Sequence, residues 1–557
     1  MGENLFDSLE GIAAAGDGNP QWSARAPFRP TPEFDLMLVP RVRAWQGDGE
    51  ARAALARIAA APWAEAVIET GEQPRLRLRD EWVEAAGEPL EAGDGLRGAD
   101  ADIAAGRRYA VYFWGANTTK ALHIGHLRNL AIGNAIGASL TQAGAEVEHR
   151  SLICDVGRSM GEAMAGIVEH GAPEGGEKSD HFVGSCYAQY VTAGRTAEGE
   201  EDTAEDSVAR EEALYNDSAD ELMMRVLSGD QEALELWSKT RAWVIAGQRK
   251  TLARLGIPFD KVIFESDFLP EVREFTNQGL SEGKLTRRRG DEMVMYLTER
   301  EELEEMPLVR ADGLPTQHMR ALAYWAAAPE LDDVISLQVC GTEWVAHVTC
   351  RRQLIDHLGA TNGNGFGSAK GGGPPTHDVF HGMVARERQA ITSSKEGALL
   401  IDDLAEWIET EIGADPAREA VRRAHPAPEG LPAQVALGYF LLQPMSKRVE
   451  FEPEKLLVPE NSLGWDLARA QARRGGSAQL AGSRPAEDPD YRFAVVQSEN
   501  YRVHLRSAVE TFDTLPLARY LSHFARWYGE QERPQAVDRV VQTVLGEGVR
   551  GLGLEAA

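Results

Sequence analysis

The segment that decides the fold is Asn117-Thr118-Thr119-Lys120-Ala121-Leu122-His123-Ile124-Gly125-His126-Leu127-Arg128-Asn129. It follows the apolar run 109–114, which predicts a buried strand, and it precedes residues 130–136, which have helical periodicity. The spacing predicts that His123 and His126 share one face of the first helical turn, where free N–H groups and the helix dipole attract phosphate. Gly125 has no side chain, so a flat base can approach the backbone there. The pattern indicates a nucleotide-binding connection between a strand and a helix.

Composition bounds the class of protein. A chain of 557 residues predicts three or more domains, and a hydrophobic share of 43% is typical of a globular protein. No stretch is long and apolar enough to span a bilayer, and the N-terminus lacks a basic-then-apolar signal, so we expect a cytoplasmic protein with no membrane partner. The cysteines show no metal-binding spacing and are expected to be reduced thiols; they are Cys154, Cys186, Cys340 and Cys350.

The net charge of −29 argues against an extensive contact with nucleic acid, because phosphate contacts need Lys and Arg. An acidic protein can still carry a local basic face. The charge therefore weakens a nucleic-acid hypothesis without excluding it.

The histidine-containing segment resembles the ATP-binding signature of class I aminoacyl-tRNA synthetases, and its flanks 116–119 and 127–129 are most similar to the arginyl family. The resemblance implies an α/β fold with a Rossmann-like catalytic domain, a small N-terminal domain and an all-helical C-terminal domain of the anticodon-binding type. It also implies ATP and Mg²⁺, an amino acid and tRNA as partners, and a monomeric enzyme. In this family His123 and His126 would act in catalysis, Gly125 and Thr118 would bind ATP, and Asn117 would read the α-amino group.

We expect three domains along the chain. Residues 1–105 form a small N-terminal domain, with a helix over Gly49–Ala61 and a strand over Arg75–Arg79. Residues 106–430 form the catalytic domain, with an acidic surface insertion at about 194–220. Residues 431–557 form the helical domain, in which an aromatic stripe over 519–528 is expected to be core.

A second signature is expected, because the chemistry of this class uses a mobile basic loop to hold the triphosphate. Residues 391–404 resemble the arginyl variant of that loop. Lys395 falls where the family has a basic residue that stabilises charge on the leaving pyrophosphate, and Ser393 and Ser394 could donate hydrogen bonds to phosphate oxygens. Glu396 stands where many relatives carry a second cation, so the loop is less basic than usual.

The amino-acid pocket departs from the family pattern. Residues 310–324 resemble the family segment R-S-D-G-T-x-T-Y-x-x-R-D-x-A-Y without a gap, but the Tyr and second Asp of the guanidinium pocket are here Gln317 and Ala321. Trp344 replaces a family Gln near the substrate, while Glu265 matches the other pocket acid. A guanidinium needs a carboxylate in bidentate geometry. Either Glu265 suffices together with a neighbouring acid, or the pocket has been rebuilt for another amino acid.

The helical domain departs in a similar way. Residues 460–473 resemble the family's E-G-N-x-G-P-Y-x-Q-Y-A-x-A-R, but both tyrosines are replaced, by Asp466 and Arg469. Aromatic stacking is a main way in which proteins hold splayed RNA bases. Trp465 is the aromatic residue that could replace one of them.

Three hypotheses remain open on the sequence. The first is an arginine–tRNA ligase with a drifted pocket. The second is a paralogue that forms an aminoacyl-adenylate from a different amino acid and passes it to a non-tRNA amine. The third is a non-catalytic RNA-binding protein on the same fold. The retained histidines, Asn117 and Lys395 argue against the third, because a protein without the chemistry has no chemical need of them.

Overall fold

The structure is a computed structural model. It describes residues 4–14, 21–41, 45–69, 73–93, 103–171, 177–196, 217–288, 290, 292–300, 303–328, 331, 333–359, 376–386, 389–390, 399–473 and 484–555. The strands in these ranges are β1 Trp22–Arg25, β2 Leu36–Pro40, β3 Ala64–Ile68, β4 Arg75–Leu78, β5 Arg108–Tyr112, β6 Glu146–Ile153, β7 Lys261–Phe264, β8 Thr286–Arg287, β9 Val294–Arg300, β10 Leu303–Val309, β11 Ile335–Gly341, β12 Thr376–His381, β13 Val384–Arg386, β14 Gln389–Ala390 and β15 Val449–Glu450.

The α-helices of the same ranges are α1 Leu5–Ala13, α2 Gly49–Ala59, α3 Asp80–Glu91, α4 Ile124–Gln142, α5 Arg158–His170, α6 Ser179–Thr196, α7 Ser218–Ser228, α8 Gln231–Arg254, α9 Leu269–Ser281, α10 Gln317–Ala327, α11 Val345–Leu358, α12 Ile401–Ala414, α13 Pro416–Ala424, α14 Leu431–Leu441, α15 Leu463–Ala472, α16 Pro489–Thr511, α17 Leu515–Gly529 and α18 Gln535–Gly551. In the described residues, no helix combines the length and apolar character needed to cross a membrane.

The N-terminal part is a four-stranded antiparallel sheet, in the order β1-β2-β4-β3, with α1 and α2 packed on it, whereas α3 packs against α16 and α18 of the C-terminal part. The predicted helix over Gly49–Ala61 and strand over Arg75–Arg79 are confirmed as α2 and β4. Asp48 caps α2 by accepting the N–H groups of Glu50 and Ala51, which would otherwise lack partners at the helix start. The apolar sides of these elements are fully buried.

The catalytic part is built on a five-stranded sheet in the order β12-β11-β5-β6-β7, in which every neighbouring pair is parallel. This is the predicted α/β core. The predicted buried strand is β5, and residues 130–136 lie inside α4. In a parallel sheet the carboxyl ends of all strands meet at one edge, and ligands bind there. Side chains that follow β5, β6, β7 and β11 are therefore brought to one cleft.

Helix α4 lies at the centre of the molecule. It packs on the sheet and also against α14, α16 and α18, so most of its side chains are buried. Gly133 allows a close approach to the sheet, because a Cβ at that position would lie 2.2 Å from the Phe113 side chain. The guanidinium of Arg128, fully buried, donates to the carbonyl oxygens of Gly382, Pro444 and Lys447. The helix that starts at the histidines is thus fixed to distant parts of the chain.

The N-terminal sheet and the C-terminal helices meet through buried charges. Arg492 of α16 donates two hydrogen bonds to the Asp35 carboxylate, at 2.8 and 2.7 Å, and a third to Asp80 at 2.6 Å. Arg492 and Asp35 are almost fully buried. Bidentate geometry offsets part of the cost of burying both charges.

The C-terminal part is mainly helical, as the sequence predicts, with one exception. The short strand β15 leaves the helical region and pairs in parallel with β13, so a small sheet joins residues on both sides of position 430. The predicted core stripe is confirmed, because Tyr520, Phe524, Trp527 and Tyr528 are all buried. The acidic insertion predicted at about 194–220 falls mostly outside the described residues.

Candidate active site

The two histidines cap the start of α4 together. His123 is the N-cap residue, and its imidazole Nδ1 accepts the N–H of Gly125 at 3.1 Å. His126 reaches back, and its Nδ1 accepts the N–H of His123, also at 3.1 Å. The ring centroids are 3.9 Å apart. The prediction that these N–H groups are free for phosphate is therefore wrong, because the two imidazoles already satisfy them.

This capping fixes which ring nitrogens carry protons. Burial, followed by the positive charge of Lys120, lowers the pKa of His126 to about 3, and burial also holds the pKa of His123 well below its usual value. Both rings are therefore neutral at physiological pH. In a neutral ring whose Nδ1 accepts a hydrogen bond, the proton resides on Nε2. Each imidazole thus keeps one N–H donor, a donor set suited to the oxygens of a nucleotide.

Lys120 adds a positive charge to the same corner. Its Nζ lies over the ring of Tyr187, 5.6 Å from the centroid, and its charge acts on both imidazoles. Lys120 is part of the histidine-containing signature, but no role was predicted for it from the sequence. Its position three residues before His123, the N-cap of the helix, is the signal that could have identified it as a positive charge of the site.

The last part of the second signature is hydrogen-bonded to the histidine-containing signature. The N–H of Ile124 donates to Leu399 and the N–H of Ile401 donates to Leu122, both at 3.0 Å. Residues 399–401 therefore lie directly beside His123. Lys395, Ser393 and Ser394 lie outside the described residues. Their roles toward ATP stay predictions.

A buried ion cluster strengthens this attachment. Asp402, at the start of α12, accepts hydrogen bonds from Lys178 at 2.8 Å and from Thr251 of α8 at 3.0 Å, and its Oδ2 lies 3.0 Å from His181 Nε2. Burial opposes the charge of Asp402, but hydrogen bonds from His181 and Lys178 outweigh it and lower the pKa of this carboxyl. The hydrogen bond to Asp402 raises the pKa of His181.

The same cluster contains the one group of carboxylate and imidazole donors in the described residues that could hold a metal ion, which consists of Asp180, His181 and Asp402. The ammonium of Lys178 lies 2.9 Å from Asp180 and 2.8 Å from Asp402. A cation already satisfies these carboxylates, so the donor set suits an ion pair better than a divalent ion. Any Mg²⁺ would enter with the nucleotide.

A side chain of α8 forms hydrogen bonds to the backbone of the connection between β5 and α4. Gln248, which is fully buried, donates to the carbonyl oxygens of Asn117 at 3.1 Å and Lys120 at 2.8 Å. The half-buried side chain of Asn117, predicted to read the α-amino group, is thereby held at the sheet edge. Thr118 is fully buried and donates its hydroxyl to the Cys154 carbonyl at 2.9 Å, so the structure gives it a positioning role. Its contact with ATP stays a prediction.

Glu265 begins a 3₁₀ turn directly after β7. Its carboxylate accepts a hydrogen bond from Arg320 Nε at 2.7 Å, and both side chains are buried. Arg320 NH2 also points to the sulfur of Cys154, at 3.1 Å, after β6. The pocket acid that the sequence retains is therefore paired with a guanidinium of this chain.

The remaining predicted pocket residues come together from two helices. Gln317 and Ala321 lie one turn apart on α10, and Trp344 lies immediately before α11. His318 of α10 stacks on His347 of α11, with centroids 4.6 Å apart and an interplanar angle of 13°. Sequence reasoning missed His318 and His347.

Asp466 has an internal partner in the helical region. It is buried and accepts hydrogen bonds from Ser522 at 2.6 Å and from Arg526 at 2.9 Å. Trp465 is also buried and donates its indole N–H to the Leu456 carbonyl at 2.8 Å. The suggestion that Trp465 could stack on an RNA base is therefore wrong, because the ring is part of the core. Arg469 is exposed.

Comparisons with known proteins agree with this geometry. Residues 99–324 match the family model described as tRNA synthetases class I (R), catalytic domain. The arginine–tRNA ligase of Treponema pallidum is 30% identical over 381 residues, which cover 66% of this chain and 60% of the relative. That of Borrelia hermsii is 28% identical over 323 residues, which cover 55% and 51%. The chain thus spans just over half the length of these relatives.

Solved structures extend the likeness in fold to the whole chain. The arginyl-tRNA synthetase of Thermus thermophilus has a TM-score of 0.66 at 18% identity and covers 99% of both chains. That of Plasmodium falciparum has a TM-score of 0.65 at 13% identity, covering 100% of this chain and 99% of the other. With its two capping histidines at the edge of a parallel sheet, the chain is similar in sequence, over residues 99–324, to the catalytic domain of class I arginyl-tRNA synthetases, and it is similar in overall fold to solved arginyl-tRNA synthetases.

Proposed function

We propose that this protein activates an amino acid with ATP and transfers the resulting aminoacyl group to an acceptor. A carboxylate oxygen of the amino acid attacks the α-phosphorus, the bond to the bridging oxygen breaks, and pyrophosphate leaves with the bonding electrons. Mg²⁺, if it entered with the nucleotide, would supply positive charge to the phosphates. A nucleophile of the acceptor then attacks the carbonyl carbon of the adenylate, and AMP leaves. The protein supplies position and charge rather than a nucleophile.

The observation that carries this proposal is the pair of capping imidazoles. Their Nδ1 atoms are committed to the backbone, so their Nε2–H donors remain for the nucleotide. Lys120 lies beside them, and residues 399–401, which follow Lys395 in the sequence, are hydrogen-bonded to Leu122 and Ile124. Donors placed in advance where charge develops need no reorganisation during the reaction.

The default reading is transfer of arginine to the 3′ end of tRNA-Arg, which the similarity to arginine–tRNA ligases supports. We further propose that residues 1–105, 106–430 and 431–557 are the N-terminal, catalytic and anticodon-binding-type domains. A cytoplasmic monomer is expected on the same basis.

A second candidate is a diverged paralogue that activates another amino acid and passes it to a non-tRNA amine. The residues Gln317 and Ala321, which stand where the family has a Tyr and an Asp, favour it. Neither of them can provide the missing carboxylate. A bound arginine would thus have Glu265 as its one matching pocket acid, where the family pattern has two.

The test is ATP–pyrophosphate exchange with each common amino acid, with and without total tRNA. Exchange that needs both arginine and tRNA would support the default reading. Exchange with another amino acid, independent of tRNA, would support the paralogue. Absence of exchange under every condition would overturn the proposal and leave a binding protein.

Lys395→Ala tests the role of the second signature in the chemical step. We expect the rate of adenylate formation to fall far more than amino-acid affinity, because the cation acts on the leaving pyrophosphate. Pre-steady-state measurement of adenylate formation at several amino-acid concentrations separates the two. Equal losses in rate and affinity would remove this role.

A further inference from the structure

One face of α11 carries His347 and Arg351, which are four residues apart. The ring of Trp344, a predicted pocket residue, lies 5.6 Å from that of His347, which stacks on His318 of α10. Trp344 and His347 are partly exposed. The charge of Glu265, the predicted pocket acid, acts on Arg351, whose guanidinium also lies 5.7 Å from the centre of the Trp325 ring. Arg351 therefore lies near the predicted pocket residues.

The guanidinium of Arg351 is buried without a carboxylate partner. The residue is only 8% exposed, its NH2 donates to the neutral amide oxygen of Gln338 at 2.7 Å, and its Nε has no hydrogen-bond partner. Throughout the described part of the chain, no carboxylate lies within salt-bridge distance of it. Leaving one charge of a buried pair without its partner is strongly destabilising. A fold that retains such a charge beside a cleft is suited to a ligand that compensates it.

The acids nearest to Arg351 are committed to other arginines. Asp378 of β12 pairs with Arg352 at 2.6 Å, and Glu265 pairs with Arg320 at 2.7 Å. The two stacked imidazoles add no charge, because burial lowers the pKa of both and brings that of His318 to about 3. Arg351 itself stays cationic, since burial lowers its pKa only to about 10. Asp378 and Glu265 also act on the charge of Arg351, but three arginines share these two carboxylates, so the group carries a net positive charge at neutral pH.

We infer that the amino acid activated at this site has a carboxylate in its side chain and that Arg351 binds this carboxylate. The inference rests on the proposed adenylate chemistry and names its substrate class. A guanidinium presents parallel N–H donors that match both oxygens of a carboxylate. The side chain of arginine would instead bring a like charge towards Arg351. A neutral side chain would leave the buried charge uncompensated.

This substrate class also accounts for the two neutral positions on α10. Gln317 and Ala321 lie on α10, which packs against α11 through the stacked rings of His318 and His347. An acidic side chain at either position would compete with the ligand for Arg351. Neutral residues remove that competitor, and Gln317 can still donate a hydrogen bond to a carboxylate oxygen.

The test compares ATP–pyrophosphate exchange by the wild-type protein with aspartate, glutamate, asparagine, glutamine and arginine, with and without total tRNA. We expect an acidic amino acid to exceed its amide isostere by about 100-fold in kcat/KM, as for a charge-assisted hydrogen bond. Preferential exchange with arginine or a neutral amino acid would overturn the inference and leave adenylate formation intact. Absence of exchange with any amino acid would overturn the proposed function itself.

Arg351→Gln then tests the assigned residue. We expect it to remove most of the preference for the acid over the amide, with the KM for ATP unchanged. Arg273→Gln, the same substitution at an exposed position of α9, is the matched control and should retain the preference. Circular dichroism establishes that each variant is folded, and Arg351→Lys, which keeps the charge but loses the fork, provides a second variant. An acidic preference that survives in folded Arg351→Gln would exclude Arg351 as its cause.

Discussion

Two regions of the candidate site are built differently: the nucleotide end, formed by His123 and His126, and the side-chain end, where the side chain of the amino acid is expected to bind. At the nucleotide end, His123 and His126 come from four consecutive residues and satisfy each other's backbone through one capping arrangement. At the side-chain end, Glu265, Gln317 and Arg351 come from three separate segments of the chain. The residues of the first end match the family pattern, whereas at the second end Gln317 and Ala321 depart from it.

The largest effect is expected from breaking the ion pair at the side-chain end. Arg320→Met leaves the Glu265 carboxylate buried without its partner, and we expect the free energy of unfolding to fall by ~3–5 kcal/mol. Urea denaturation measures it. The double variant Arg320→Met/Glu265→Gln should recover much of the loss, because no isolated charge remains. A single-variant loss under ~1 kcal/mol, the value of an exposed pair, would show that the carboxylate is not buried in solution.

At the nucleotide end, His126→Asn separates capping from catalysis. The Asn side-chain oxygen can accept the His123 N–H as Nδ1 does, but no donor replaces Nε2–H. We expect the rate of pyrophosphate exchange to fall about 10²–10³-fold while the melting temperature stays unchanged. His126→Ala should lose the cap as well and add ~1 kcal/mol of destabilisation. A His126→Asn protein with the wild-type exchange rate would contradict the role of Nε2.

Restoring the family residues at the side-chain end should sharpen the contrast. Gln317→Tyr together with Ala321→Asp supplies an acid to the pocket, so we expect arginine-dependent exchange to rise by about tenfold. Adding Arg351→Gln should raise it further by removing the like charge. The control is exchange with the amino acid that the wild-type protein prefers. If the folded double variant shows no gain with arginine, the alignment of residues 310–324 with the family segment is wrong.

The smallest effect is a pH dependence shared by both ends. His126 and His318 have folded-state pKa values lowered to about 3, whereas an unfolded histidine titrates near 6.5. The unfolded chain therefore takes up protons first, and the wild-type protein should lose stability as pH falls below 6.5, by less than ~1.4 kcal/mol per pH unit for each histidine. Urea denaturation at pH 7.5 and 5.5 measures this loss.

His126→Asn and His318→Asn serve as controls for the pH dependence. Each variant should lose less stability than the wild-type protein over the same pH range, because one buried imidazole is removed. Identical pH dependence in the wild-type protein and both variants would mean that neither ring is held neutral by the fold.

The sequence by itself determined what depends on neighbouring residues. The apolar run 109–114 predicted the buried strand β5, and the periodicity of 130–136 predicted α4. The aromatic stripe over 519–528 predicted a buried face. Each follows from local backbone geometry and from one apolar face. The histidine signature also indicated the resemblance to the arginyl family, because the residues of the signature lie in one short segment.

Only the tertiary structure decided which partners those residues have. It turned the imidazoles from phosphate-facing side chains into caps, gave Glu265 an internal guanidinium, and buried Trp465. It also gave Arg351 the neutral amide oxygen of Gln338 as a hydrogen-bond acceptor, with no carboxylate of the described residues within ion-pair distance. No local pattern encodes these outcomes, because a buried charge takes its partner from whichever segment the fold brings within about 4 Å, and sequence separation does not limit that choice.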